Sequence, residues 1–241
     1  MEEFVNKKKK GSNQNKSKCV FDKLKSNYFL QKVFNNLQEK KRLQIPKYNK
    51  KTKNRLNITN NTYKVYCDIE IEIIPVKNKY DKFINIKDED KIYFHIYFNN
   101  NKEEIKRNYL IEDDNVTKIN IIIDYQVISL ESLFSICDCI ESIYFKQFKR
   151  NNIIDMSSMF YFCSSLKEIN FSNFNTINVR NMSSMFTCCS LLKEINLSNF
   201  NTNKVIDMNN MFSQCDSLEI LNLSNFNTNN VTDMSAMFYF S

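Results

Sequence analysis

Four cysteines recur at intervals of 26 residues, Cys137, Cys163, Cys189 and Cys215, and this spacing raises metal and redox chemistry first. Structural zinc needs four tetrahedral nitrogen or sulfur ligands. Cys137-x-Cys139 and the adjacent pair Cys188-Cys189 lack that spacing, and His95 is the only histidine. Chain segments stacked about 4.7–5 Å apart would hold these cysteines beyond the ~3.8 Å Cβ separation that a disulfide prefers. The column is therefore expected to be a reduced, buried stripe of small apolar side chains. The same inventory argues against catalysis. A single His removes Ser-His-Asp and Cys-His nucleophile systems unless His95 serves, and His95 has no Ser or Cys motif beside it. The single glycine, Gly11, removes phosphate-cradling loops. The carboxylate groups Glu70/Glu72 and Asp88/Glu89/Asp90 read as a solvated strand face and a turn. No catalytic residue, cofactor, metal or small-molecule substrate is expected.

The elements that position the cysteines come from a repeat. Met156, Met182, Met208 and Met234 share the 26-residue interval, and all but one of the nine methionines occupy this column or the one three residues on. "DMSSMFYFCSSLKEINFSNFNT" at 155–176 recurs at 181–202 and 207–228, and a final "DMSAMFYFS" occupies 233–241. A degenerate copy, "LESLFSICDCIESIYFKQF", starts at Leu130, and "VTKINIIIDYQV" reads as an irregular first coil of the capping kind. Periods of this length signal stacked repeats. In each unit Ile169 and Phe171, or their equivalents, alternate inward from a short strand. Met182, Met185, Phe186 and Cys189 fall at i, i+3, i+4 and i+7, which predicts one apolar face of a short helix. Asp155, Asn181, Asp207 and Asp233 stand where helix N-caps would. The pairs Asn173/Asn175, Asn199/Asn201 and Asn225/Asn227 are expected to form ladders from coil to coil.

The pattern F-x-x-C-x-S-L-K-E-I-N-L-S-N-F-N-T-x-x-V-x-D-M-x-x-M-F resembles the BspA-type leucine-rich repeat, the 26-residue repeat of bacterial surface proteins and mycoplasma lipoproteins. The resemblance covers 130–241, and 116–129 more loosely. It implies a leucine-rich-repeat solenoid with binding or adhesive roles and no catalysis. The Asn position of ordinary leucine-rich repeats is held here by Phe174, Phe200 and Phe226.

The expected fold is thus an α/β repeat, a solenoid of short strand, turn and short helix, preceded by an N-terminal helix and a small β-rich region. The expected segments are a basic tail without regular structure at 1–18, a basic amphipathic helix at 19–60 marked by Leu30, Val33, Phe34 and Leu37, a β-rich capping region at 61–115, and the repeats at 116–241. In the β-rich region Ile69, Ile71 and Ile73 alternate with Asp68, Glu70 and Glu72, and Ile92, Phe94, Ile96 and Phe98 alternate with His95. The repeat array stops within a unit, which suggests either truncation of a longer array or self-association through its open coil.

Charge divides the chain. The net charge is +7, but residues 1–60 hold 17 basic and 4 acidic side chains, leaving a net −6 on 61–241. A basic quarter without interleaved aromatics argues against nucleic-acid binding. No apolar run is long enough to span a membrane, and no secretory signal follows the lysines, so a cytoplasmic location is expected, with a surface location as the alternative implied by the family. The Asn-x-Ser sequons at Asn170, Asn196 and Asn222 fit a cytosolic or bacterial setting, because glycans on successive strands would crowd one another.

The expected function is a non-enzymatic protein-interaction scaffold that binds through the strand face. Its outward columns are Glu168, Glu194 and Ile220, then Asn170, Asn196 and Asn222, then Ser172, Ser198 and Ser224. A surface adhesin and an F-box-like adaptor acting through the N-terminal helix are the alternatives.

Overall fold

The structure is a computed structural model that describes residues 26, 30, 55, 56, 68–124, 127–148 and 151–241. The chain divides into two compact units, 1–60 and 61–241. Of the first, Leu30 and Leu56 are buried, and the Leu30 amide donates to the Ser26 carbonyl at 3.1 Å. The expected basic tail and almost all of the expected N-terminal helix lie outside the described residues; Leu30 and Arg55 have helical backbone, but no N-terminal helix stands among the elements of the described residues. The adaptor idea rested on that segment.

In the second unit, alternation builds the strands. In β1 (Ile69–Pro75), Ile69, Ile71 and Ile73 are buried, as the period of two requires. The strands β2 (Phe94–Phe98) and β3 (Ile119–Ile123) follow the same rule. Ile92 departs from it. Asp88–Tyr93 forms a 3-10 turn opened by three acidic residues, and Ile92 is 72% exposed. The remaining strands are β4 (Ile140–Phe148), β5 (Glu168–Asn170), β6 (Glu194–Ile195) and β7 (Ile220–Leu221). Five of them make one mixed sheet in the order β2-β3-β1-β4-β5, while β6 and β7 pair in parallel in a second sheet. β1 is antiparallel to both β3 and β4, and β4 is parallel to β5. The segment expected as an irregular first coil therefore supplies β3, separated from the repeats by β1. The β-rich region and the repeats share one sheet and one core.

The α/β solenoid is overturned. Helical structure among the described residues is confined to short pieces, with 3-10 turns at Asp88–Tyr93 and Glu112–Asp114, and the five-stranded sheet neither closes nor winds into a solenoid. The segment expected as a helix in each unit is a chain of turns. Met159, Tyr161 and Cys163 donate their amides to the carbonyls three residues back at 3.1–3.3 Å. The alternate amides of Ser158, Phe160 and Phe162 donate to Ser183, Met185 and Thr187 of the following unit at 2.8–2.9 Å. Two residues per unit take left-handed backbone, for example Ser184 (φ 54°) and Cys188 (φ 59°), and each interrupts a right-handed helix. The apolar spacing is nonetheless realised, since Met182, Met185, Phe186 and Cys189 are fully buried. Ser and Asn at the intervening positions favour turns over helix interiors, and the bonds between units satisfy the amides that a helix would have kept to itself. The anticipated caps survive in altered form. The Asp155, Asn181 and Asp207 side chains each accept the amide two residues on at 2.9 Å, capping a turn instead of a helix.

Stacking carries the core. Phe134, Phe160, Phe186, Phe212 and Phe238 form a column with ring centroids 5.5–5.6 Å apart and planes within 13° of parallel. Each fully buried Phe or Met contributes about 1.5–3 kcal/mol by its removal from water. The thiols of Cys163, Cys189 and Cys215 donate to the carbonyls of Phe134, Phe160 and Phe186 at 2.9–3.2 Å, so the cysteines link units as neutral donors.

Candidate binding surface

The loop after each strand is fixed by side chains that reach the preceding unit. The Asn173 amide group donates to the Lys146 carbonyl at 3.1 Å, Asn199 to Ser172 at 2.8 Å, and Asn225 to Leu197, Ser198 and Phe200 at 2.9–3.2 Å. The expected ladder thus holds for the first Asn of each pair. The second caps its own turn: the Asn175, Asn201 and Asn227 side chains accept the amides of Ile177, Asn203 and Asn229. Sequence reasoning missed the threonines beside them. Buried Thr176 donates its hydroxyl to the Asn201 carbonyl at 3.0 Å and accepts the Asn201 amide at 2.7 Å, and Thr202 repeats this with Asn227. Recurrence of Thr at positions 176, 202 and 228 was the available signal.

These ties hold the strand face in place. All nine predicted outward residues are exposed, including Ile220 at 57%. The asparagines are only partly available to a ligand. Oδ1 of Asn170, Asn196 and Asn222 accepts the amide of Ser172, Ser198 and Ser224 at 2.8–3.1 Å. Each therefore offers its Nδ2 donors outward while its oxygen shapes the turn.

The register extends this face beyond the repeats. Tyr97, Asn120, Glu72, Tyr144 and Asn170 are successive pairing partners across β2, β3, β1, β4 and β5. Tyr144 lies 26 residues before Asn170, so it belongs to the Asn column, and that offset is visible in the sequence. Its hydroxyl donates to Glu168 at 2.8 Å, and this bond raises the phenol's pKa above its usual range. Burial pushes the Glu72 carboxyl up, but bonds from Lys118 at 3.0 Å and Lys146 at 3.1 Å outweigh it and hold the group below the usual carboxylate range.

Groups with conventional chemistry lie elsewhere. His95 sits between two carboxylates, with Nδ1 3.0 Å from Glu104 and Nε2 3.5 Å from Asp124. Burial pushes the Cys139 and Cys215 thiols up to about 12, and those of Cys163 and Cys189 well above the usual thiol value. A neutral buried thiol is a poor nucleophile. Among the described residues the cysteines are free, and no group of three or more His, Cys, Asp or Glu is placed to hold a metal ion. A cavity of about 230 Å³ opens between 75–80 and 110–117, lined in part by Pro75, Lys77, Tyr80, Ile111 and Glu112. That is below the range of about 300–1,000 Å³ usual for small-molecule sites. No helix among the described residues is long and apolar enough to cross a membrane.

No curated protein and no solved structure matches the chain. Residues 128–241 match the family described as Mycoplasma protein of unknown function, DUF285. That match begins beside Ser129, the first member of the parallel bridge series Ser129, Asp155, Asn181, Asp207 and Asp233, so the chain is similar to this family over its stacked units and not over β1 to β3.

Proposed function

We propose that the chain is a non-enzymatic binding scaffold that engages its partner through the strand face. The observation that carries this reading is the division of labour within each unit. Met, Phe, Cys and Thr side chains are buried or tied to neighbouring units, whereas the Glu, Asn and Ser columns stay exposed on a backbone that those ties hold rigid. A rigid surface loses little side-chain and loop freedom on association, which favours binding. Near-identical groups in successive units suit a partner that engages several units at once, because each further contact becomes intramolecular.

Placement of a photo-reactive phenylalanine analogue at Ser198, on this face, or at Ile206, in an exposed column elsewhere on the unit, tests the proposal. Cross-linking to a partner in extracts of the producing cells is expected from Ser198 and not from Ile206. Cross-links from Ile206 alone would move the binding surface off the strands.

A further inference from the structure

Resting on the strand face as the binding surface, we infer that its ligand is an uncharged, extended, β-linked glycan laid across the strands. The argument begins with the period. Tyr97, Asn120, Glu72, Tyr144 and Asn170 form one row across five paired strands, and the 26-residue repeat continues that column through Asn196 and Asn222. Adjacent strands lie about 4.8 Å apart, so the row places one planar side chain at each step of that length, with Glu72 held by its two lysines, Asn120 bonded to Asn100, and Tyr97, Asn170, Asn196 and Asn222 offering their polar groups. A polymer whose own monomer rise is close to that step meets equivalent groups along its length. An extended β-linked glycan advances by nearly that distance per sugar, whereas an extended peptide advances about 3.3 Å per residue and falls out of phase.

Charge separates the glycan from nucleic acid. A nucleic-acid strand brings a phosphate with every nucleotide and is held by free cations. Here Lys118 and Lys146 are both bonded to Glu72, Lys167 is bonded to Glu141, and Glu168 accepts the Tyr144 hydroxyl. The row therefore holds no succession of free cations to seat a phosphate backbone. Its chemistry suits paired hydroxyls: outward Asn Nδ2 groups donate, Glu168 and Glu194 accept, and Ser172, Ser198 and Ser224 do both. The half-buried ring of Tyr97 supplies apolar area with a polar tip, a fit to the C–H faces and rim hydroxyls of a sugar ring, whereas the Tyr144 ring carries the Lys146 ammonium 5.3 Å from its centroid and bonds Glu168 through its hydroxyl.

Substitution of Asn by Asp separates binding from folding, because it keeps the Oδ1 atom that caps Ser198 or Ser224 and removes the outward donor. In affinity electrophoresis of the full chain through gels containing hydroxyethylcellulose, retardation is expected, and the double variant Asn196→Asp, Asn222→Asp should bind about tenfold more weakly with unchanged thermal unfolding. Affinity for soluble oligomers of the same glycan should rise with their length. Migration unaffected by hydroxyethylcellulose, equal retardation of the variant, or stronger retardation by heparin would each overturn the glycan assignment. A protein cross-linked from Ser198 without any glycan retardation would overturn it while leaving the strand face as the binding surface, whereas cross-links confined to Ile206 would remove that surface itself.

Discussion

The antiparallel strands β1 to β3 and the stacked units differ in how they treat left-handed backbone. Among the described residues of the antiparallel region the four non-glycine residues with positive φ are Asn78, Asn99, Asn100 and Asn115, a residue type that tolerates this conformation well. In the stacked units the corresponding residues are Ser132, Ile136, Ser158, Phe162, Ser184, Cys188, Asn210, Gln214, Ala236 and Phe240, of which one is Asn. The first region obeys local preference at its turns. In the second, eight of the ten donate their amides to the following unit, Ala236 and Phe240 of the last unit being the exceptions, and aromatic and β-branched residues stand at φ near +55°. Stability of the units is therefore collective, whereas that of β1 to β3 is written residue by residue.

The comparison is broken most severely by removing a stacked ring. Phe186 lies between Phe160 and Phe212 at 5.5 and 5.6 Å and is fully buried. Phe186→Ala should destabilise the protein by about 3–5 kcal/mol, and hydrogen exchange should report lost protection in the units on both sides. Ile71→Ala in β1 removes a smaller buried side chain, at about 2–5 kcal/mol, and its loss of protection should centre on β3 and β4, the strands that β1 pairs with. Confinement of both effects to the substituted segment would refute collective stability. A smaller break is Thr202→Val, which leaves the Asn227 carbonyl and amide without the hydroxyl that now serves both. The expected loss is about 1–3 kcal/mol in urea denaturation, with Thr202→Ser recovering most of it. Equal stability of all three proteins would show that the threonine ladder does not hold the units together.

Much of this was legible in the sequence, and the failures share one cause. Ile69, Ile71 and Ile73 alternate in the sequence and are buried, and the 26-residue interval placed Met, Phe, Cys and the outward Glu, Asn and Ser columns in the environments observed. Periodicity decides which side of the chain is buried. It does not decide where the amides bond. Met182, Met185, Phe186 and Cys189 satisfy the helical spacing, and serial turns with the same buried set satisfy it equally well. The deciding interaction, such as Phe186 N to Met211 O at 2.9 Å, spans 25 residues and leaves no mark within any single unit. The placement of β1 between β3 and β4 was hidden for a similar reason, since strand order is a long-range choice. On the strand face the columns could be read directly, but the use of each Asn oxygen as a turn cap depends on the two-residue geometry after the strand.

The thiol column sharpens the comparison through pH. Burial raises the Cys215 thiol to about 12 from its ordinary value of 9.0. Below pH 9.0 the thiol is neutral in both folded and unfolded chains, and its contribution is fully present. As pH rises above 9.0, the unfolded chain releases a proton that the folded chain retains, so stability declines until the folded thiol itself titrates. One such thiol should lower stability by about 1 kcal/mol over the first pH unit of that window. Comparison of wild type with Cys215→Ala in urea at pH 8, 9 and 10 isolates it from the lysines and tyrosines common to both. Parallel pH profiles would show that the thiol is already ionisable in the fold.

The smallest expected effect tests the opening contrast directly. A left-handed residue with a Cβ carries a conformational penalty of about 1–2 kcal/mol, less for Asn. Glycine removes that penalty but adds backbone freedom to the unfolded chain. Phe162 is well suited to the exchange: its φ is 54°, its side chain is 43% exposed, and its amide donates to Thr187 through the backbone, which glycine preserves. Phe162→Gly should therefore exceed Phe162→Ala in stability by about 0.5–1 kcal/mol, the lost phenyl ring and its contact with Tyr161 being common to both. Asn78→Gly, at φ 59° in the antiparallel region, should change stability by less than about 0.5 kcal/mol, because Asn already fits that backbone. A stabilisation by glycine at Asn78 equal to or larger than its advantage over alanine at Phe162 would mean that the stacked units do not impose a conformation their residues resist. The left-handed positions of the two regions would then be physically alike, and the bonds between units would be following the local turns instead of dictating them.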